Sequence, residues 1–137
     1  MAVKDNNVSP TAKFVRECIP FPIVTATSQT DVRAGSVVPG FPFEIVKVSA
    51  YASAVTGTIS CNVKIGATSA LASTITPVAT GSGIVDGSLS STLANRRGSA
   101  TDAINVHYTT DNSGAATNLR VTVWIRPHPL HGEVYNV

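Results

Sequence analysis

Trp124 is the only tryptophan in a chain of 137 residues, and Arg120 and Arg126 stand close to it on either side. An outward-facing tryptophan among arginines has the composition of a protein-interface anchor: a large rigid ring beside planar cations with several donors each. The same ring covered by an arm or tail of its own chain would belong to the core, and the spacing allows both. Arg96 and Arg97 are the one adjacent basic pair, and the surrounding Asn95–Ser99 reads as an exposed loop. There they are either solvated or meet acidic groups on a neighbouring protein. Tyr51, on the polar side of an alternating run, joins them as a candidate contact residue.

Other chemistries find less to work with. Histidines stand at positions 107, 128 and 131, but the last two occupy a tail that also holds Pro127 and Pro129. No carboxylate or thiolate is spaced to complete a tetrahedral metal set with them, so neither a metal nor a cofactor is expected. Glycoside hydrolysis needs two carboxylates held roughly 5–9 Å apart, whereas Asp5, Asp86 and Asp111 sit in arm or turn contexts where aspartate serves the backbone. No serine lies in a G-x-S-x-G elbow, and no glycine-rich phosphate loop is present. The expectation is a protein without enzymatic activity.

The elements that must carry these residues are strands. Ile59, Cys61, Val63 and Ile65 alternate with Ser60, Asn62 and Lys64, the period of two that sets one strand face in a core and the other toward water. Val46, Val48, Ala50 and Ala52 alternate in the same way with Lys47, Ser49, Tyr51 and Ser53, and Thr56-Gly57 hinges the two runs. Ile104, Val106 and Tyr108 oppose Asn105 and His107. On the last strand, Asn118–Arg126, the residues Leu119, Val121, Val123 and Ile125 point inward, which turns Arg120, Thr122, Trp124 and Arg126 outward. Shorter strands are expected over Lys13–Ile19, Ile23–Thr27 and Thr68–Ile75, the last anchored by Leu71. Pro20, Pro22, Pro39 and Pro42 argue against a long element early in the chain, and Asp31–Gly40 reads as a turn-rich loop. Seven or eight strands at roughly 8–12-residue spacing, with no helical period, predict an all-β antiparallel sandwich or barrel.

Bulk properties fit one domain with a sizeable core. A net charge of +2 with 13% charged residues is weakly basic and charge-poor, against about 25% in ordinary soluble domains. The basic residues are scattered instead of gathered into a stripe, so no nucleic-acid partner is expected. A charge-poor surface suits contact with other proteins. Cys18 and Cys61 do not make a staple framework, and Cys61 on an apolar strand face reads as a buried thiol. The opening MAVKDNNVSP has no apolar core of a secretory leader, and no run approaches ~18 apolar residues. No membrane partner is expected.

The order of turns and strands is itself informative. It runs through Thr56-Gly57, Asn62–Gly66, Thr68–Leu71 and Ile75-Thr76, then Gly87–Leu89, Arg96–Gly98, Thr101–Val106 and Asn118–Val123. This pattern resembles a jelly-roll-like β-sandwich module widespread in structural proteins of tailed bacteriophages, among them head decoration proteins and fibre or baseplate modules. The likeness covers about residues 43–126. The residues outside it are irregular or proline-rich, so the chain reads as a domain over 43–126 with an extended N-terminal arm and entry segment over 1–42 and a C-terminal tail over 127–137. Among these proteins the chain is most similar to capsid decoration (cement) proteins, having no repetitive shaft of a fibre. That resemblance implies a homotrimer on the outside of the virion head, made in the host cytoplasm. Its partner would be the major capsid protein, whose lattice it stabilises; the residues' own positions offer Trp124, Arg120, Arg126, Tyr51, Arg96 and Arg97 as the candidate interface. A fibre or baseplate module that binds host glycans is the alternative it leaves open.

Overall fold

The computed structural model describes residues 17–77 and 84–128. Eleven strands run in order through them: β1 (Glu17–Ile23), β2 (Val32–Val37), β3 (Phe43–Tyr51), β4 (Ala54–Thr56), β5 (Ile59–Ile65), β6 (Thr68–Ser69), β7 (Ile84–Asp86), β8 (Arg97–Gly98), β9 (Ile104–Thr110), β10 (Ala115–Thr117) and β11 (Leu119–Pro127). Among the described residues the one helical piece is a 3-10 turn, Leu93–Arg96, leading directly into β8.

Two antiparallel sheets face each other. One has the order β1-β11-β3-β7, with β8 added beside β3; the other has the order β2-β9-β5-β6. The short pair β10-β4 lies outside both. With β4, β8 and β10 set aside, the eight remaining strands fall into the spatial orders first-eighth-third-sixth and second-seventh-fourth-fifth. That is the double-sheet arrangement of a jelly roll. Antiparallel pairing holds throughout.

The period of two places the core. On β5 and β11 every odd-numbered residue from Ile59 to Ile65 and from Leu119 to Ile125 is buried. Phe43, Ile45, Val48 and Ala50 beside β11, and Ile104 and Val106 beside β5, complete the two inner faces, each fully buried. Each such aliphatic side chain contributes roughly 1.5–3 kcal/mol by leaving water. β3 and β5, which flank the Gly57 hinge, do not pair with each other. The first belongs to one sheet and the second to the other, so the hinge carries the chain across the core edge. Gly57 takes a positive φ of 64° there, and Asp111 closes the turn by accepting from Thr58 N at 3.1 Å.

Three expectations are corrected. Val46 does not share the inward face with Val48 and Ala50. Trp124 pairs with Lys47 and Ile125 with Ile45, so Val46 is the extra residue of a β-bulge. The bulge resets the parity of the strand, which is why Phe43 and Ile45 point inward along with Val48. Residues 17–42, the described part of the expected arm, are an integral part of the sandwich: they contribute β1 to one sheet and β2 to the other, and Phe21 and Ile23 to the core. Residues 1–16 lie outside the described ones. Asp31–Gly40, read as a loop, is mostly β2.

The prolines misled for a physical reason. β1 runs through Pro20 and Pro22, but among the described residues it is an edge strand bonded only to β11. A proline lacks only its N–H, and an edge strand has one side where no partner requires it. The same substitution blunts that edge against further strands. β1 is therefore closed to sheet extension.

Candidate functional site

The outward face of the β1-β11-β3-β7 sheet gathers the singled-out residues, and pairing across the strands sorts them into rows. Pro22, Arg120, Tyr51 and Ile84 lie side by side in the first. Pro20, Thr122, Ser49 and Asp86 form the second. Cys18, Trp124 and Lys47 form the third, and Arg126, Glu44 and Arg97 the fourth. All six candidate interface residues are on or beside this one face: Trp124, Arg120 and Arg126 on β11, Tyr51 on β3, Arg97 on β8, and Arg96 at the end of the 3-10 turn.

The first row is the exposed apolar end. Ile84 is 63% exposed and Tyr51 36%, and Val24, just past the end of β1, is 92% exposed. An open cleft of about 410 Å³ adjoins the row, lined by Pro22, Val24, Thr25, Asn118, Leu119 and Arg120. The third row places Trp124 half-buried, with Lys47 Nζ 4.8 Å from its ring centroid. The cation over the ring is thus a lysine from the neighbouring strand, and Lys47 in turn approaches Asp86 at 4.0 Å. Tyr51 and Trp124 are two rows apart, about 13 Å at a strand's rise per residue, so they do not form one aromatic platform.

The fourth row is organised by a residue that sequence reasoning passed over. Glu44 is 3% exposed although it points to the outer face, because three arginines cover it. Arg97 Nε and Arg126 Nη2 each donate to Glu44 Oε1 at 3.3 Å, and Arg96 Nη2 lies 3.5 Å from Oε2. Burial pushes the Glu44 carboxyl up, and the charges and hydrogen bonds of Arg126 and Arg97 more than reverse this, holding it below the ordinary glutamate range. Arg96 and Arg97 accordingly do not stand on a fully exposed loop: the segment is half-buried and turned onto its own sheet. Gly98 makes this possible, since a Cβ there would overlap the ring of buried Phe43. The signal in the sequence was a lone carboxylate inside the apolar run Phe43–Val46.

The second sheet carries a smaller polar group on its outer side. Asp31 Oδ2 accepts from Lys64 Nζ at 2.8 Å, and Asp31 Oδ1 lies 3.1 Å from His107 Nδ1. The hydrogen bond from Lys64 is the main cause of a lowered Asp31 pKa. His107 is therefore partnered within its own domain. His128 is half-buried and its backbone N–H donates to the Pro42 carbonyl at 2.9 Å, while His131 lies outside the described residues. Both cysteines are free: Cys18 is exposed beside Trp124, and Cys61 is buried. Burial pushes the Cys61 thiol up to about 12.

No protein-family model, no curated protein and no solved structure matches this chain.

Proposed function

We propose that this protein is a structural component of a tailed-phage virion, a decoration protein that binds the outside of the head and ties adjacent major capsid subunits together. The observation that carries the reading is the outward face of the β1-β11-β3-β7 sheet. It presents exposed Tyr51, Ile84 and Arg120 at one end and half-buried Trp124 under Lys47 farther along. Aromatic and arginine residues on one flat face are the ingredients of an interface core. The blunted edge of β1 favours docking through this face over strand addition. Jelly rolls serve both as viral capsid domains and as lectins, so the fold by itself supports the class only by analogy.

The mechanism is linkage. A protein that binds the assembled lattice and not its dissociated subunits stabilises the lattice by RT ln(1 + [L]/Kd), about 2.7 kcal/mol per site at a hundredfold excess over Kd. As a trimer bridging several subunits, the protein would add these contributions multivalently.

The test uses the purified protein and expanded empty heads of the phage that encodes it. Co-sedimentation should be saturable, the heads should melt at higher temperature, and exposed Cys18 should react more slowly with a maleimide once bound. Failure to sediment with heads, together with binding to host cell-wall glycans, would replace this reading with the fibre or baseplate module.

A further inference from the structure

Glu44 and the arginines around it do not balance. Three guanidinium groups lie within 3.5 Å of one carboxylate, which leaves two positive charges in excess among the described residues at a site where Glu44 itself is almost fully buried. The contacts are also loose. Charge-assisted N–H···O bonds are commonly about 2.7–2.9 Å, whereas those to Glu44 are 3.3 Å. One carboxylate is holding three partners at arm's length.

The donors are unevenly used as well. Arg97 engages Glu44 through Nε and Arg126 through one Nη, so each guanidinium has further N–H groups that meet no acceptor among the described residues. Arg96 is held by a single 3.5 Å ion pair, and its Nε is buried with no acceptor among the described residues. A buried donor left unmet ordinarily destabilises the fold. Such a donor inside a cluster of excess positive charge is satisfied most directly by an anion.

The arrangement is also fixed before any ligand arrives. Arg97 is registered opposite Glu44 by the β3–β8 pairing. Arg126 is registered opposite it from the other side by the β3–β11 pairing. The 3-10 turn delivers Arg96 next to Arg97. Guanidiniums whose backbones are fixed by strand pairing have less freedom to lose on binding, so their donors act with less entropic cost. We propose that Arg96, Arg97 and Arg126 form a binding site for a small doubly charged tetrahedral oxyanion of the phosphate or sulfate class, with Glu44 as the residue that positions the three guanidiniums. Two excess charges match a dianion, and planar forks of N–H donors match its oxygens. The site is independent of head binding and is tested on the purified protein alone.

Inorganic phosphate and sulfate are titrated against sodium chloride at matched ionic strength, with Tm and the fluorescence of the sole tryptophan, Trp124, as readouts. At pH 8 both oxyanions should raise Tm saturably, by at least about 5 °C, and chloride should not. At pH 5.5 the effect of phosphate should weaken as it becomes a monoanion, while that of sulfate persists. Arg97→Gln and Arg126→Gln should each weaken sulfate binding at least tenfold. Arg120→Gln, on the same strand but in the first row, should leave it unchanged. Equal stabilisation by chloride at equal ionic strength, or equal loss in Arg120→Gln, would overturn the proposal and reduce the cluster to an internal brace.

Discussion

Arg126 and Glu44 face each other across β11 and β3, Nη2 to Oε1 at 3.3 Å, and the acid is the more buried partner: its side chain is 4% exposed against 40% for the arginine. The outer face of a sheet therefore contains a point where charge is enclosed by the protein's own side chains. That point anchors the 3-10 turn and β8 to the sheet, and the exposed part of the face begins one row beyond it, at Cys18 and Lys47 on either side of half-buried Trp124.

Glu44→Gln should be among the more damaging single polar changes. Removing one member of a buried ionic group typically costs about 3–5 kcal/mol, and because Arg97 and Arg126 still reach water the loss should fall near the lower end. Urea denaturation at pH 7 gives the number.

The pH dependence has a definite sign. The Glu44 pKa is lowered from its ordinary 4.5 in the folded state, so its contribution is fully present above the unfolded value and is lost as pH falls through the lower folded value. The urea midpoint should hold steady from pH 7 to about 5.5 and decline below about 4.5. Asp31, also lowered, adds to the same acid limb, so subtracting the Glu44→Gln curve from that of the wild type isolates Glu44.

Gly98→Ala should cost about 1–3 kcal/mol, the usual penalty for overpacking. The added methyl meets the ring of Phe43, which is fully buried and cannot swing to solvent. Thermal unfolding checks the magnitude, and a changed accessibility of Arg96 and Arg97 to trypsin would report displacement of β8.

Thiol chemistry should separate the two cysteines. Exposed Cys18 should react promptly with a disulfide reagent at pH 8, and Cys61, with its pKa pushed up to about 12 by burial, should react only on unfolding. One thiol per native chain and two in denaturant is the expected count; rapid reaction of both would contradict the placement of Cys61 in the core.

Tyr51→Ala and Arg120→Ala should leave stability within about 0.5 kcal/mol, as exposed sites away from structural features do. Both should weaken binding to expanded heads. Unchanged head binding in both variants would remove the first row from the interface.

Alternation alone determined a great deal. Wherever a strand has one face in the core, the sequence must record it residue by residue, and β5, β9 and β11 were legible with their inward and outward sides correct, Trp124 included, as was the outward Tyr51 on β3. What the tertiary structure decided is which outward residues meet. The bulge at Val46 is set by pairing with β11, and its mark in the sequence is only the adjacent apolar pair Ile45-Val46, where the alternation changes parity. The place of β1 depends on being an edge, which its prolines permit but do not announce. Arg96 and Arg97 look like loop arginines until the β3–β8 pairing brings them onto Glu44, about fifty residues earlier in the chain. Polar contacts between distant strands have no period in the sequence, because the register that creates them is fixed by packing on the opposite face.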